Sequence, residues 1–518
     1  MHAPRPTPGS LTGRRLTRRR ALQLSAAGGA LLGLEGLGFL SRLPTVSAAE
    51  ATLNPSLVRF DDSIEPLVAL LEETPRERLL EEVASRIGKG TSYREILTAL
   101  LLAGVRNVQP RPNVGFKFHA VLVVNSAHLA SQSSPDTDRW LPIFWALDYF
   151  KGAQATTQRE SGWRMTRVDE SKVPAKDDAR GAFTRAMDAW DEPAADAAAA
   201  GIARSCDMSE AFELFARYGP RDFRDIGHKA IFVANSFRTL SAIGWQNAEP
   251  VLRSLTYALL KFEDQNPATA DLAPDRPWKR NAELVANVRT AWAEGKPDDD
   301  AARQLLSTLR ANSERDAAAQ VVELLNNGIA PQSVWDGLLC GAGELTMRSP
   351  GIVSLHAVTT CNALRYAYEA SGDDRTRLML MTQAASFLPL FRGAPGRGRD
   401  VTVDGFEATA TKATGADAVS EVFDAAGADR MAAASKALAY LSADHATAKP
   451  MIDHARRLVF LKGNDSHDYK FSSAVLEDHA NVSPAWRNRY FAASLFLLPT
   501  PAERDNALVE RTRAALGA

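Results

Sequence analysis

Residues 101–125 read LLAGVRNVQPRPNVGFKFHAVLVVN, and residues 338–362 read LLCGAGELTMRSPGIVSLHAVTTCN. They align at a constant offset of 237 without a gap. The identical pairs are Leu101/Leu338, Leu102/Leu339, Gly104/Gly341, Arg111/Arg348, His119/His356, Ala120/Ala357, Val121/Val358 and Asn125/Asn362. Eight of twenty-five positions agree, where ordinary residue frequencies give about one or two. Self-similarity at a fixed long offset marks a repeated architecture, in which each unit buries its apolar face against the next.

The register continues outside the block. Phe150-Lys151-Gly152-Ala153 answers Phe391-Arg392-Gly393-Ala394 at offset 241, Asp188 answers Asp424 at 236, and His228 answers His467 at 239. The chain therefore reads as two halves, 55–295 and 300–518. A further doubling within each half is suggested by the similar runs at Phe118, Gly227 and Leu355. An alanine-centred apolar segment follows each repeated histidine by 26 to 30 residues, at Ala146, Ala258, Ala384 and Ala493.

Strand signals are scarce. Alanine-rich patterns of helical period dominate, as in Ala194–Ala203, Ala301–Asn326 and Met431–Leu441. Breaks fall at Pro110-Arg111-Pro112, Gly219-Pro220, Ser349-Pro350 and Ser483-Pro484. Two longer polar stretches, Gln154–Asp178 and Pro395–Gly415, read as surface loops. The predicted fold is all-α: an internally duplicated helical-repeat architecture, stacked as an array or closed into a toroid.

Four of the eight histidines beyond residue 48 take equivalent places in this scheme: His119, His228, His356 and His467. Each follows a helix-start signal, at Pro112-Asn113, Asp225, Ser349-Pro350 and Asn464-Asp465-Ser466. In the first turns of helices the dipole disfavours imidazolium, and neutral imidazole is the form that ligates metals. If the units close around an axis, the four rings meet at its centre. An imidazole set suits a transition metal, with iron or copper ahead of zinc. The opposing reading is that duplication simply copied structural histidines.

Other residues are placed relative to these. Asn125, Asn235 and Asn362 lie six or seven positions after their histidines. At seven, Asn235 returns to the face of His228 and is expected to support it; the other two are expected to bond between helices. His128 falls on the opposite helix face from His119. His445 aligns with Cys206, an exchange that suits a small core position as well as a metal ligand. His454 and His479 have no counterparts. Among acidic residues, Asp225 and Asp465 read first as helix N-caps, and all five of Asp148, Asp225, Glu344, Asp465 and Asp468 stay open as carboxylate partners. Trp140, Trp145, Tyr149 and Phe150 read as core, with an apolar pocket wall as the alternative.

The whole chain has a formal charge of -1. Beyond residue 48 there are 54 basic and 61 acidic residues, a charge near -7, which argues against a nucleic-acid surface. Cys206, Cys340 and Cys361 form no disulfide framework and no metal-binding spacing. Dinucleotide, P-loop, HExxH, GxSxG and CxxCH signatures are absent.

At the N-terminus, Thr17–Gln23 reads TRRRALQ, followed by a glycine-broken apolar stretch to Leu40 and by Val46-Ser47-Ala48. Arg18, Arg19 and Leu22 stand at the spacing of a bacterial twin-arginine signal peptide, which residues 1–48 resemble. That resemblance implies recognition by the twin-arginine export machinery, export in a folded state to the periplasm or beyond, and no stable membrane span after cleavage. Cargo of this route commonly acquires a cofactor first. Separately, Leu355–Ala370 (LHAVTTCNALRYAYEA) is similar to the histidine-bearing helices of questin oxidase-like proteins, helical oxidoreductases acting on polyketide-type aromatics. No catalytic residue transfers from that single stretch.

Together these readings predict an exported metal-dependent oxidoreductase acting on a small-molecule substrate. Two alternatives stand beside it: a non-catalytic helical-repeat binding protein, and a metal-assisted hydrolase or lyase.

Overall fold

The computed structural model describes residues 56–110, 118–260, 265–443 and 447–517. The leader-like segment 1–48, the Pro112-Asn113 signal and His445 lie outside the described residues. Among the described residues there are 22 α-helices and no β-strand; pairing is limited to the isolated bridges Leu57–Thr166 and Lys296–Ile329. The chain is all-α.

Local chemistry explains the helix boundaries. Ser92 with Glu95, Asp207 with Glu210, Ser313 with Asp316, and Asp465 with Asp468 each form a reciprocal capping box, which satisfies amide donors that a helix start leaves open. The box at Ser313 divides the alanine-rich run 301–326 into helices Asp299–Ala311 and Glu314–Asn326. The 154–178 stretch begins inside a helix, because Leu141–Glu160 continues past Gln154. Its remainder is tied down, with Met165 N donating to Arg106 O and Arg164 pairing with Glu72. The 395–415 stretch is non-helical, as expected, and is anchored where Arg310 joins Asp404 and Glu344 accepts from Val403 N.

Four helices occupy the centre: α1 (His119–Gln132), α2 (His228–Ile243), α3 (Ile352–Ala370) and α4 (Ser466–Asn481). α1 packs on α2, α2 on α3, α3 on α4, and α4 back on α1, so the ring closes. Each has a helix on either side of it in sequence that packs against it from outside. Tyr93–Asn107 and Leu141–Glu160 flank α1, and Met208–Ala216 and Ala248–Leu259 flank α2. Pro331–Arg348 and Asp374–Arg392 flank α3, and Lys449–Lys462 and Pro484–Ser494 flank α4. Enclosure on all sides is why the inner helices carry few exposed positions and no strong polar face. The alanines at 146, 258, 384 and 493 are all buried, where small side chains let the outer helices approach. One continuous apolar core runs from Ile64 to Val509.

Buried polar groups tie the ring together toward the C-terminal ends of its helices. Arg238 of α2 pairs with Glu477 of α4 at 2.6 Å. Asn362 of α3 donates to Glu477 and, at 2.9 Å, to Asp478. Tyr490 Oη donates to the other Asp478 oxygen at 3.2 Å. Burial, with the nearby Glu477 charge, pushes the Asp478 carboxyl up to about 7. The folded chain therefore holds a proton that the unfolded chain releases near pH ~3.9. The sign follows: this group's contribution to stability is complete below about pH 4 and is lost as pH rises through about 7. Urea unfolding of the wild type should show lower stability at pH 9 than at pH 5. Asp478→Asn, which cannot ionise, should lose less stability across that interval. Identical pH dependence of the two proteins would show that Asp478 is already ionised in the fold.

Candidate metal centre

The histidines sit at the entrances of the inner helices. His119 and His228 open α1 and α2, His467 is the second residue of α4, and His356 is the fifth of α3. Their rings converge. Centroids are 5.0 Å apart for His119–His228, 4.5 Å for His228–His356, 5.1 Å for His356–His467 and 4.6 Å for His467–His119. The four rings thus make a closed square, one from each inner helix. Positions six or seven residues further on, Asn125, Asn235, Asn362 and Ser473, line a common cavity. Two shared levels along the axis mean that the four helices run in the same direction, with all four N-termini at the histidine end.

His119, His228 and His356 form the tight group, their ligand nitrogens all within 4.8 Å of one another. His119 Nε2 is 2.8 Å from His228 Nε2, which is 3.0 Å from His356 Nε2. All three are buried. The outer nitrogens determine what the inner ones carry. His228 Nδ1 faces Asp225 O at 2.9 Å, and His356 Nδ1 faces Ile352 O at 2.6 Å. A carbonyl only accepts, so each Nδ1 bears the hydrogen, and each neutral ring presents a bare lone pair at Nε2. Lys470 Nζ lies 3.1 Å from His119 Nε2, and His119 Nδ1 is buried with no hydrogen-bond partner in the protein. His467 sits beside the group with Nδ1 held by Asp465 Oδ1 at 2.5 Å.

The electrostatics keep the rings neutral. Burial is the largest cause holding His119, His228 and His356 well below the usual histidine range, and the Lys470 charge adds to it. Burial also pulls Lys470 down to about 7, against the pull of Asp465 and Asp225. The hydrogen bond from His467 holds Asp465 down to about 2. Three Nε2 atoms therefore face one another at 2.8 and 3.0 Å, those of His228 and His356 as lone pairs, an arrangement that could hold a metal ion. The spacing matches a metal: bonds of about 2.0–2.1 Å place neighbouring nitrogens roughly 2.9 Å apart at a right angle and roughly 3.4 Å apart at the tetrahedral angle.

Several residues singled out in the sequence lie elsewhere. His128 accompanies Tyr93 at 3.0 Å. His454 stacks on Phe423, and His479 meets Phe491 edge-on. Cys206, Cys340 and Cys361 are free and buried. Asp148 binds Arg76, Glu344 binds Arg310, and Asp468 completes the cap of α4. Asp465 is a helix cap as expected. Asp225 is not: Gly227 takes the N-cap position of α2, and the Asp225 carbonyl orients His228 instead. Asn235 does not support its histidine, because its amide donates to Leu122 O of α1 at 2.9 Å. Trp145 and Tyr149 stack on each other at 5.0 Å and line a cleft of about 460 Å³ shared with Arg76 and Arg511, a charged wall rather than an apolar one. Phe150 is fully buried. Lys470 was not anticipated. Its place three residues after His467, on the same helix face, was the available signal.

Backbone geometry at Gly227 sets how closely α2 approaches α3. Its φ is +86°, and a Cβ there would stand 1.9 Å from Thr360 Oγ1 on α3. Gly227→Ala should therefore destabilise the fold by at least about 1–3 kcal/mol, read as a drop in thermal midpoint. Adding Thr360→Ala should recover part of the loss, since two of the three closest atoms disappear. An unperturbed Gly227→Ala would contradict the close approach.

The chain matches no family model, no curated protein and no solved structure.

Proposed function

We propose that this chain is a metalloprotein that holds one transition ion through His119, His228 and His356, with His467 as the fourth imidazole, and that it works as an exported oxidoreductase. The observation that carries the metal is the convergence of three buried imidazole Nε2 atoms, with the Nδ1 atoms of His228 and His356 already committed to carbonyls. Near-right-angle spacing within a square of rings favours a tetragonal or octahedral ion, copper or iron, over tetrahedral zinc. The acidic residues nearest the rings, Asp225 and Asp465, sit at the outer nitrogens of His228 and His467. They anchor ligands there and are poorly placed as a base for hydrolysis, which favours redox over hydrolytic chemistry. Export rests on the twin-arginine-like leader at residues 1–48. Among the described residues no helix is long and apolar enough to cross a membrane.

Metal analysis of the purified protein tests the reading. One iron or copper per chain is expected. His119→Gln and His356→Gln should each weaken binding beyond the about 10–100-fold that loss of a supporting residue costs, with helical circular dichroism unchanged. Absence of stoichiometric metal after reconstitution, or equal metal in folded variants, would overturn it. A visible absorption band or paramagnetic resonance from the ion would favour redox chemistry over hydrolysis.

A further inference from the structure

Three hollows in the fold differ in what their walls leave unpaired. The axial cavity between the inner helices, about 10 Å³, has room for about one water. The cleft beside Trp145 has about 460 Å³, but its guanidiniums are saturated: Arg76 binds Asp148, and Arg511 binds Glu81 and the carbonyls of Arg76 and Glu77. A third cleft, of about 510 Å³, lies between the turn after α1 and the helices Gly415–Ala428 and Lys449–Lys462. Its Ser133 follows the last residue of α1, which opens on His119. At 1.5 Å per residue the cleft is roughly 20 Å along the axis from the histidine level, and no ring histidine lines it.

Arg456 stands in the wall of this cleft, partly buried, with no hydrogen-bond or ion-pair partner among the described residues. The other charged side chains there are accounted for. Lys449 pairs with Asp453, and Arg457 lies 4.0 Å from Asp138. Burial holds His454 below the usual histidine range, so it adds no charge at neutral pH. The wall therefore keeps one guanidinium in excess. Burial also holds Arg456 below the usual arginine range, against the pull of Asp453, as expected of a charge drawn from water without a partner. Both bounding helices begin at the cleft, with Ala416 near the start of one and Lys449 and Pro450 opening the other. Neither start has a side-chain cap, so two positive helix ends add to the same potential. The remaining wall is largely apolar, with Pro135, Val419 and Phe460. A cleft of this size suits a small molecule, and a guanidinium fork matches a carboxylate.

We propose that this cleft is a binding site, separate from the histidine ring, for an organic monocarboxylate with an apolar body. The carboxylate pairs with Arg456, and the body lies against Val419 and Phe460. The site does not depend on the metal reading.

Calorimetric titration of the whole purified protein with sodium octanoate tests it. One octanoate per chain is expected. Arg456→Met should bind about tenfold to a hundredfold more weakly, the loss of one charge-assisted hydrogen-bonded contact, with helical circular dichroism unchanged. Arg456→Lys, which keeps the charge and loses the fork, should fall between the two, and it stands in if the methionine variant fails to fold. Octanol, with the same chain and no charge, should bind more weakly than octanoate, and inorganic phosphate at equal concentration should not displace octanoate. Absence of octanoate binding by the wild type, or undiminished affinity in the folded variants, would overturn the proposal. Octanol bound as tightly as octanoate would overturn the role of the carboxylate, and displacement by phosphate would overturn that of the apolar body.

Discussion

The interaction on which the centre of this molecule depends is the approach of three imidazole Nε2 atoms, two of which carry no hydrogen toward the others. His228 and His356 donate their Nδ1 hydrogens to the carbonyls of Asp225 and Ile352, and Lys470 Nζ lies 3.1 Å from His119 Nε2. A proton shared between two rings would relieve one contact only, and burial disfavours imidazolium. Lys470 satisfies only His119. Inward lone pairs with outward N–H groups anchored, as at His228 and His356, are what metal-binding histidines adopt, the outer bond fixing tautomer and ring orientation. The metal proposal follows from hydrogen-bond bookkeeping at three residues, before any appeal to the repeat.

The rest of the fold serves this convergence. A ring in which four helices run the same way places four first turns at one end, and hence four histidines at one level. Packing on the outside lets the inner helices be buried on every face, which pays for their poor amphipathicity with apolar contact. Gly227 lets α2 close on α3 near Thr360. At the other end of the axis, Arg238, Asn362, Glu477 and Asp478 lock the helices with polar bonds. These bonds have directions, unlike apolar packing, so they define the rotation of each helix about its own axis. That rotation is what aims the histidines inward.

Much of this was legible in the chain. The helical class follows from alanine-rich periodicity and from breaks at proline and glycine, and the matched positions of His119, His228, His356 and His467 named the residues that meet. What was not legible depends on backbone geometry. The ring partners of His228 and His356 are carbonyl oxygens, which every residue possesses, so no side-chain pattern announces them. Asp225 looked like a cap because it precedes a helix, yet the chain turns through Ile226 and Gly227, both at positive φ, before the helix begins. Asn235 returns to the face of its histidine, but a continuous α2 carries it nearly two turns away, within reach of Leu122 O. Lys470 was hidden by its type: a lone lysine reads as a surface residue until its surroundings close over it.

Burial also bears on how such a centre would be filled. His119 and His356 are 2% and 1% exposed, and the axial cavity has room for about one water. An ion reaches a site so enclosed most directly while the four helices are still assembling, because each contributes one ring and the last to dock seals the others. Metal binding and ring closure would then be coupled, with the ion stabilising the folded state in proportion to its affinity. A protein built this way is best loaded where the supply of metal is controlled and moved afterwards. On the proposed reading of residues 1–48 as a twin-arginine leader, transport of folded cargo would supply that order of events.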